Sequence, residues 1–156
     1  SVDVGSIYEG FYGDHAKTFI VGTTSKEKQK LVENTKKCLE KGIEQVKVGN
    51  TIGDIGYAIQ SYAESCGYGV VRELVGHGIG SNLHEEPQVP NFGSKGVGFE
   101  IQEGLCLAIE PMINLGTPDV YTKKDNWTVC TKDGLSSAHF EHSVAVINNK
   151  VKVLTI

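Results

Sequence analysis

Gly76-His77-Gly78-Ile79-Gly80-Ser81-Asn82-Leu83-His84-Glu85-Glu86-Pro87 divides the chain into a first half patterned as a strand pair and two helices and a second half patterned as short strands. Three glycines in five positions permit positive φ or the close approach of another backbone, for which a regular helix or strand interior has little use. Histidine is the usual side chain for metal ligation and for proton transfer near neutral pH, so His77 and His84, seven positions apart, mark this segment as the candidate chemical centre.

Upstream, Ser1 to Ile7 and Phe11 to Val21 read as two strands of a hairpin turned at Glu9-Gly10. The hairpin carries Asp3 and Asp14. Antiparallel neighbours place side chains about 5 Å apart, so two carboxylates on one face can converge on a single cation. Ser25 is an N-cap for a helix reaching to about Val46, with Leu31, Val32, Cys38, Leu39, Ile43 and Val46 as its apolar stripe. Thr51 opens a second helix, with Asp54 at the capping-box position, Ile52, Ile55, Ile59 and Ala63 on its buried face, and Gly67 at its end. Both stripes read as core.

Downstream, Val70-Val71 is a short strand leading into the central stretch. The Pro, Gly, Asn and Ser content from Glu86 to Gly98 predicts a surface loop. Leu105 to Ile109 is an apolar strand ending in Glu110-Pro111-Met112, and a carboxylate there needs a partner, because an unpaired buried charge is very costly. Asn114 to Asn126 reads as loop, Trp127 to Cys130 as strand, and Ala138 to Ile147 as one strand containing His139 and Glu141. Lys150 to Ile156 completes a terminal hairpin. Two helices after a hairpin and before more strands predict an α+β domain, its helices packed on one face of a curved antiparallel sheet. No linker or repeat divides residues 1–156, which read as a single domain.

Composition narrows the function. With 39% hydrophobic and 22% charged residues, a net charge of -4 and a pI near 5.7, the chain has the make-up of a globular protein without electrostatic drive toward nucleic acid or anionic membrane. No apolar run reaches membrane-spanning length. Cys38, Cys66, Cys106 and Cys130 form no C-x-x-C pair, which argues against a structural zinc site and fits reduced thiols in the cytoplasm.

Asp3, Asp14, His77, Glu110 and Glu141 make a set of four carboxylates and one imidazole on strands or beside glycine-rich turns. Gathered without cations they would repel one another and be heavily desolvated, whereas two divalent ions balance their formal charge. Oxygen-rich ligands with one nitrogen suit Mn²⁺, Fe²⁺, Co²⁺ or Zn²⁺. Two such ions support metal-assisted hydrolysis.

Val2-Asp3-Val4, Gly10-Phe11-Tyr12-Gly13-Asp14, Phe19-Ile20-Val21-Gly22, Gly76-His77-Gly78-Ile79-Gly80, His84-Glu85-Glu86-Pro87, Ile109-Glu110-Pro111-Met112, Trp127-Thr128 and Glu141-His142 together resemble the C-terminal part of a type I methionine aminopeptidase of the pita-bread fold. The resemblance runs through the whole chain. It implies that residues 1–156 are a catalytic metallopeptidase domain in which Asp14 and Glu141 bridge two metal ions, Asp3 completes one ligand shell, and His77 and Glu110 complete the other. It further implies two catalytic residues: Glu110 takes a proton from the attacking water, and His84 donates to the scissile peptide and its developing oxyanion, a contact of the type worth a few kcal/mol. His77, His84, Leu83 and Trp127 are the implied substrate-side residues. The implied reaction is metal-activated hydroxide attack on the first peptide bond, releasing the initiator methionine of nascent cytoplasmic polypeptides, with the ribosome as a candidate partner.

Three departures from the family pattern stand out. Leu83 replaces an aromatic residue, which would reshape the side-chain pocket. His139 replaces a glutamine, placing an extra imidazole two positions before a ligand, where it could alter hydrogen bonding around the metals. The family's N-terminal half, with another substrate-contacting histidine and much of the methionine pocket, is not in these 156 residues, so the sequence reads as truncated. It predicts a complete metal set beside an incomplete substrate site, weak metal binding and slow hydrolysis by residues 1–156 alone, and association or instability from an uncovered sheet edge. Competing readings are a prolidase or aminopeptidase P relative and a non-catalytic pita-bread module binding peptides or ribosomal partners.

Overall fold

The computed structural model describes residues 1–155. Turn chemistry sets its first element. Glu9 and Gly10 have φ of 50° and 86°, the positive pair of a two-residue turn whose twist matches antiparallel strands, and they fold β1 (Val2–Tyr8) onto β2 (Phe11–Lys17). Asp3 pairs with Ala16 and Gly5 with Asp14, so the two aspartates share a face as diagonal neighbours rather than as opposed partners. The second strand stops at Lys17 instead of reaching Val21. Beyond it, the Thr18 hydroxyl donates to the His139 carbonyl and accepts from the His139 N–H, both at 2.9 Å.

Both helices start where their caps place them. Ser25 Oγ accepts from Lys28 N–H at the head of α1 (Lys26–Ile43), and Thr51 N–H donates to Asp54 at the head of α2 (Ile52–Ser65). α1 ends before the expected Val46. Gly67, with φ 81°, follows the end of α2. Leu31, Cys38 and Leu39 of α1 and Ile52, Ile55, Ile59 and Ala63 of α2 are buried in one cluster with strand residues Leu107, Ile109, Ile113, Val144 and Val146.

The strands are β3 (Gly69–Val70), β4 (Gly76–Gly78), β5 (Glu85–Val89), β6 (Cys106–Ile109), β7 (Met112–Asn114), β8 (Val120–Thr122), β9 (Val129–Thr131), β10 (Ser137–His139), β11 (His142–Ile147) and β12 (Lys150–Val153). They form a five-stranded sheet, β12-β11-β6-β4-β5, a three-stranded sheet, β10-β7-β3, and two hairpins, β1-β2 and β8-β9. Every strand pairing is antiparallel. α1 touches β6, β7 and β10, and α2 touches β3 and β5, so the helices span both sheets and the expected α+β layering holds.

Three further expectations change. The first four residues of the expected loop, Glu86–Val89, belong to the edge strand Glu85–Val89, since at a sheet edge Pro87 needs no ladder donor. Val120–Thr122 pairs with Val129–Thr131, which puts Trp127 in the connecting turn rather than in a strand. The run from Ala138 to Ile147 is two strands in two sheets, interrupted at Phe140-Glu141. The terminal hairpin pairs through Val153, and its expected last residue, Ile156, lies outside the described residues.

β4 threads between β5 and β6 so closely that a Cβ on Gly76 would collide with the Ala108 carbonyl, and one on Gly78 with the Glu86 carbonyl. Gly76→Ala therefore must displace backbone that cannot yield as a side chain tip would. The expected loss is about 2–3 kcal/mol, in the range of core overpacking, read as a lower urea midpoint at unchanged m-value.

Candidate metal centre

The centre forms at a corner where two neighbouring segments change sheets together. β6 continues through Glu110-Pro111 into β7, and β10 continues through Phe140-Glu141 into β11. Ile109 pairs with His142 on one side of this break and Met112 with His139 on the other. Pro111 has no N–H to offer across the gap. The Glu141 N–H turns outward and donates to the Ala16 carbonyl at 2.8 Å, which docks β2 on the corner.

Three further bonds fix that docking. Ser143 Oγ accepts from Asp14 N–H at 2.9 Å and donates to the Asp14 carbonyl at 2.8 Å. His15 Nδ1 lies 2.6 Å from the Glu141 carbonyl, which can only accept, so His15 donates. Buried Asn91 donates Nδ2–H to the Glu110 carbonyl at 3.1 Å. Ser143, His15 and Asn91 hold ligand-bearing backbone, roles that no motif in the sequence announces.

The side chains then converge. Ligand atoms of Asp14, His77 and Glu141 lie within 4.8 Å of one another, and so do those of Asp3, His139 and Glu141. Glu141 belongs to both groups, whereas Asp14 belongs to the His77 group alone. Glu110 spans the two imidazoles, with Oε1 3.7 Å from His77 Nε2 and Oε2 3.3 Å from His139 Nε2. His77 Nδ1 lies 2.9 Å from the Gly78 carbonyl. It must donate there, which leaves the Nε2 lone pair facing the carboxylates, as a metal-binding histidine requires.

All five sequence-identified carboxylate and imidazole positions thus meet in one place, joined by His139. His84 stands edge-on to His77 with ring centroids 4.4 Å apart. Both histidines line an open cleft of about 1010 Å³, together with Asp3, Glu110, Leu74, Met112 and Val129. Trp127, 86% exposed, reaches the same cleft from the β8-β9 turn. Leu83 is not among the cleft-lining residues; its side chain lies over Gly5 on β1, where an added Cβ would come 3.4 Å from Leu83 Cδ1.

The donor set fits divalent cations. Glu141 is buried, its Oε1 has no hydrogen-bond partner, and its carboxyl is pushed up to about 9, first by burial and then by the charges of Glu110, Asp14 and Asp3. Asp3 is also raised, by burial first; His139 opposes the shift, and Asp14 and Glu110 add to it. His139 Nε2 is likewise buried and without a partner. Unsatisfied lone pairs facing one another in a carboxylate cluster are what a bound cation would satisfy.

Residues 1–148 match the family model for metallopeptidase family M24. The chain is 49% identical to a methionine aminopeptidase of Clostridium acetobutylicum over 156 residues, spanning 62% of that protein's length. It superposes on the crystal structure of a Thermotoga maritima methionine aminopeptidase with a TM-score of 0.96 at 46% identity, covering 98% of this chain and 61% of that one. A prolidase from Pyrococcus furiosus shares the fold alone, with a TM-score of 0.76 at 24% identity over 99% of this chain and 40% of that one.

Because the Glu141 carboxylate is the most poorly compensated group of the cluster, Glu141→Gln should raise the melting temperature of the metal-free chain at neutral pH. The same substitution should abolish the upward shift that Mn²⁺ or Co²⁺ gives the parent chain. Differential scanning calorimetry with and without metal checks both.

Proposed function

The chain belongs to metallopeptidase family M24, and from that premise we propose that it carries the dimetal centre of a methionine aminopeptidase, an enzyme that removes the initiator methionine from nascent polypeptides. Its α+β architecture is the pita-bread fold common to methionine aminopeptidases and prolidases. The observation that carries the proposal is the pair of candidate ligand groups sharing Glu141, whose members Asp3, His77 and His139 line a cleft together with His84. In this reading Asp3, Asp14, His77, Glu110 and Glu141 hold two divalent ions of the Mn, Fe, Co or Zn type. Such ions supply Lewis acidity and a water of lowered pKa.

The chain's own residues do the rest. Glu110 accepts the proton of the attacking water on a carboxylate oxygen and returns it to the leaving amine. Its backbone is held for this by Asn91. His84 donates a ring N–H to the carbonyl oxygen as that oxygen gains charge. Leu74, Val75, Met112, Trp127 and Val129 give the cleft an apolar wall on which an unbranched thioether side chain can lie.

A prolidase-like specificity is less well supported, because the likeness to methionine aminopeptidases extends to nearly half of all residues and that to prolidase does not. A non-catalytic peptide-binding module would have no use for the complete ligand set. Four free thiols, with Cys38 pushed up to about 12 by burial, accord with a cytoplasmic setting in which nascent chains, at or near the ribosome, are the substrate. Among the described residues no helix is long and apolar enough to cross a membrane.

Peptides of the Met-Ala and Xaa-Pro types, assayed with added Mn²⁺ or Co²⁺, separate the readings. Cleavage of Met-Ala in preference to Xaa-Pro is expected, at a slow rate for residues 1–156 alone. Glu110→Gln should reduce turnover by about 10²-fold or more, the scale of general-base removal, even at metal concentrations that saturate the weakened site. Undiminished turnover would take Glu110 out of the mechanism.

A further inference from the structure

We propose that His139 is a direct metal ligand, so that each of the two ions takes one imidazole: His77 on the Asp14 side and His139 on the Asp3 side. The inference rests on the dimetal reading of the site and extends its ligand set by one residue.

Three observations carry it. A ligand atom of His139 lies with those of Asp3 and Glu141 inside 4.8 Å, a grouping that mirrors the Asp14, His77 and Glu141 group across the shared Glu141. Its Nε2 is buried and has no hydrogen-bond partner. Glu110 Oε2 is only 3.3 Å away, yet the contact lacks hydrogen-bond alignment, so the nitrogen's bonding direction is spent on nothing within the protein. The ring is also placed firmly. His139 is the last residue of β10, paired to Met112, and its backbone N–H and carbonyl are both bonded to the Thr18 hydroxyl.

The chemistry that follows is a change of donor type. Without His139, the Asp3 position would be ligated by carboxylate oxygens alone, which suits harder ions such as Mn²⁺. One imidazole shifts the preference toward Co²⁺ and Zn²⁺. The extra neutral donor tightens binding there without adding a fifth negative charge to the four carboxylates.

The full chain, labelled with ¹³C and ¹⁵N in histidine and loaded with two equivalents of Co²⁺, gives a count of ligating imidazoles by paramagnetic NMR. Two contact-shifted imidazole spin systems are expected, one lost in His77→Gln and the other in His139→Gln. Titration calorimetry should show that His139→Gln weakens one of the two Co²⁺ sites by at least tenfold and changes Mn²⁺ binding less. A single shifted imidazole in the parent chain, assigned to His77, overturns the inference and leaves the metal centre standing. No shifted imidazole and no Co²⁺ binding in any variant overturns the centre as well. The imidazole count in the parent chain decides the matter even if a variant fails to fold.

Discussion

The fold depends on holding carboxylates together against their own repulsion. Carboxylate oxygens of Asp14 and Glu141 lie within 4.8 Å of each other, and two full charges at that distance would repel by roughly 3–4 kcal/mol at an effective dielectric of 20, which adds to burial in pushing the Glu141 carboxyl up to about 9. Asp3 and Glu110 add to the same field at Glu141. The protein meets this load through its backbone. Ser143 clasps both polar groups of the Asp14 main chain, Ala16 and His15 take the N–H and carbonyl of Glu141, and Asn91 takes the carbonyl of Glu110. Asp14 Oδ1 also accepts from the His15 N–H at 3.0 Å, while Glu141 Oε1 is held in place without a partner of its own.

The corner between the two sheets makes such an arrangement possible. A continuous antiparallel ladder would alternate its side chains between faces and use every backbone donor within the sheet. Breaking two neighbouring segments at the same level, at Glu110-Pro111 and Phe140-Glu141, frees a donor for the hairpin and brings two glutamates to one point. β4 adds His77 from within the five-stranded sheet, beside β6. Its flanking glycines matter because the carbonyls of Ala108 and Glu86 occupy the space a side chain would need.

What could be read in the sequence was whatever rests on local chemistry. The Glu9-Gly10 turn, the Ser25 cap, the Thr51 and Asp54 pair and the stop at Gly67 are short-range effects, and each stands where its residues put it. The five candidate ligand positions are legible as residue types beside turns and strand ends, and through the resemblance in their order along the chain. Long-range effects are not. Glu86–Val89 reads as loop by composition, and its strand character comes from β4 beside it. The break at Phe140-Glu141 lies opposite Glu110-Pro111 on the neighbouring segment, where Phe140 N–H reaches only the Pro111 carbonyl at 3.4 Å, and nothing within Ala138 to Ile147 signals it. His139 drew notice as a departure from a family pattern and was expected to act around the metals. Only the pairing of β7 with β10 brings it in among the ligand atoms.

The division of the site between elements also bears on how one frame can serve different peptidases. The candidate ligands come from β4, from the hairpin β1-β2 and from the corner of the two sheets, which are tied to one another by backbone bonds. Trp127 comes from the β8-β9 hairpin, which pairs with neither sheet. Its turn is held by its own Asp125, which accepts from Trp127 N–H, Thr128 N–H and the Thr128 hydroxyl. A wall built on such a self-contained hairpin can change shape without disturbing the carboxylate cluster. A prolidase at 24% identity shares this frame, and a fold leaves the chemistry of its walls free to vary.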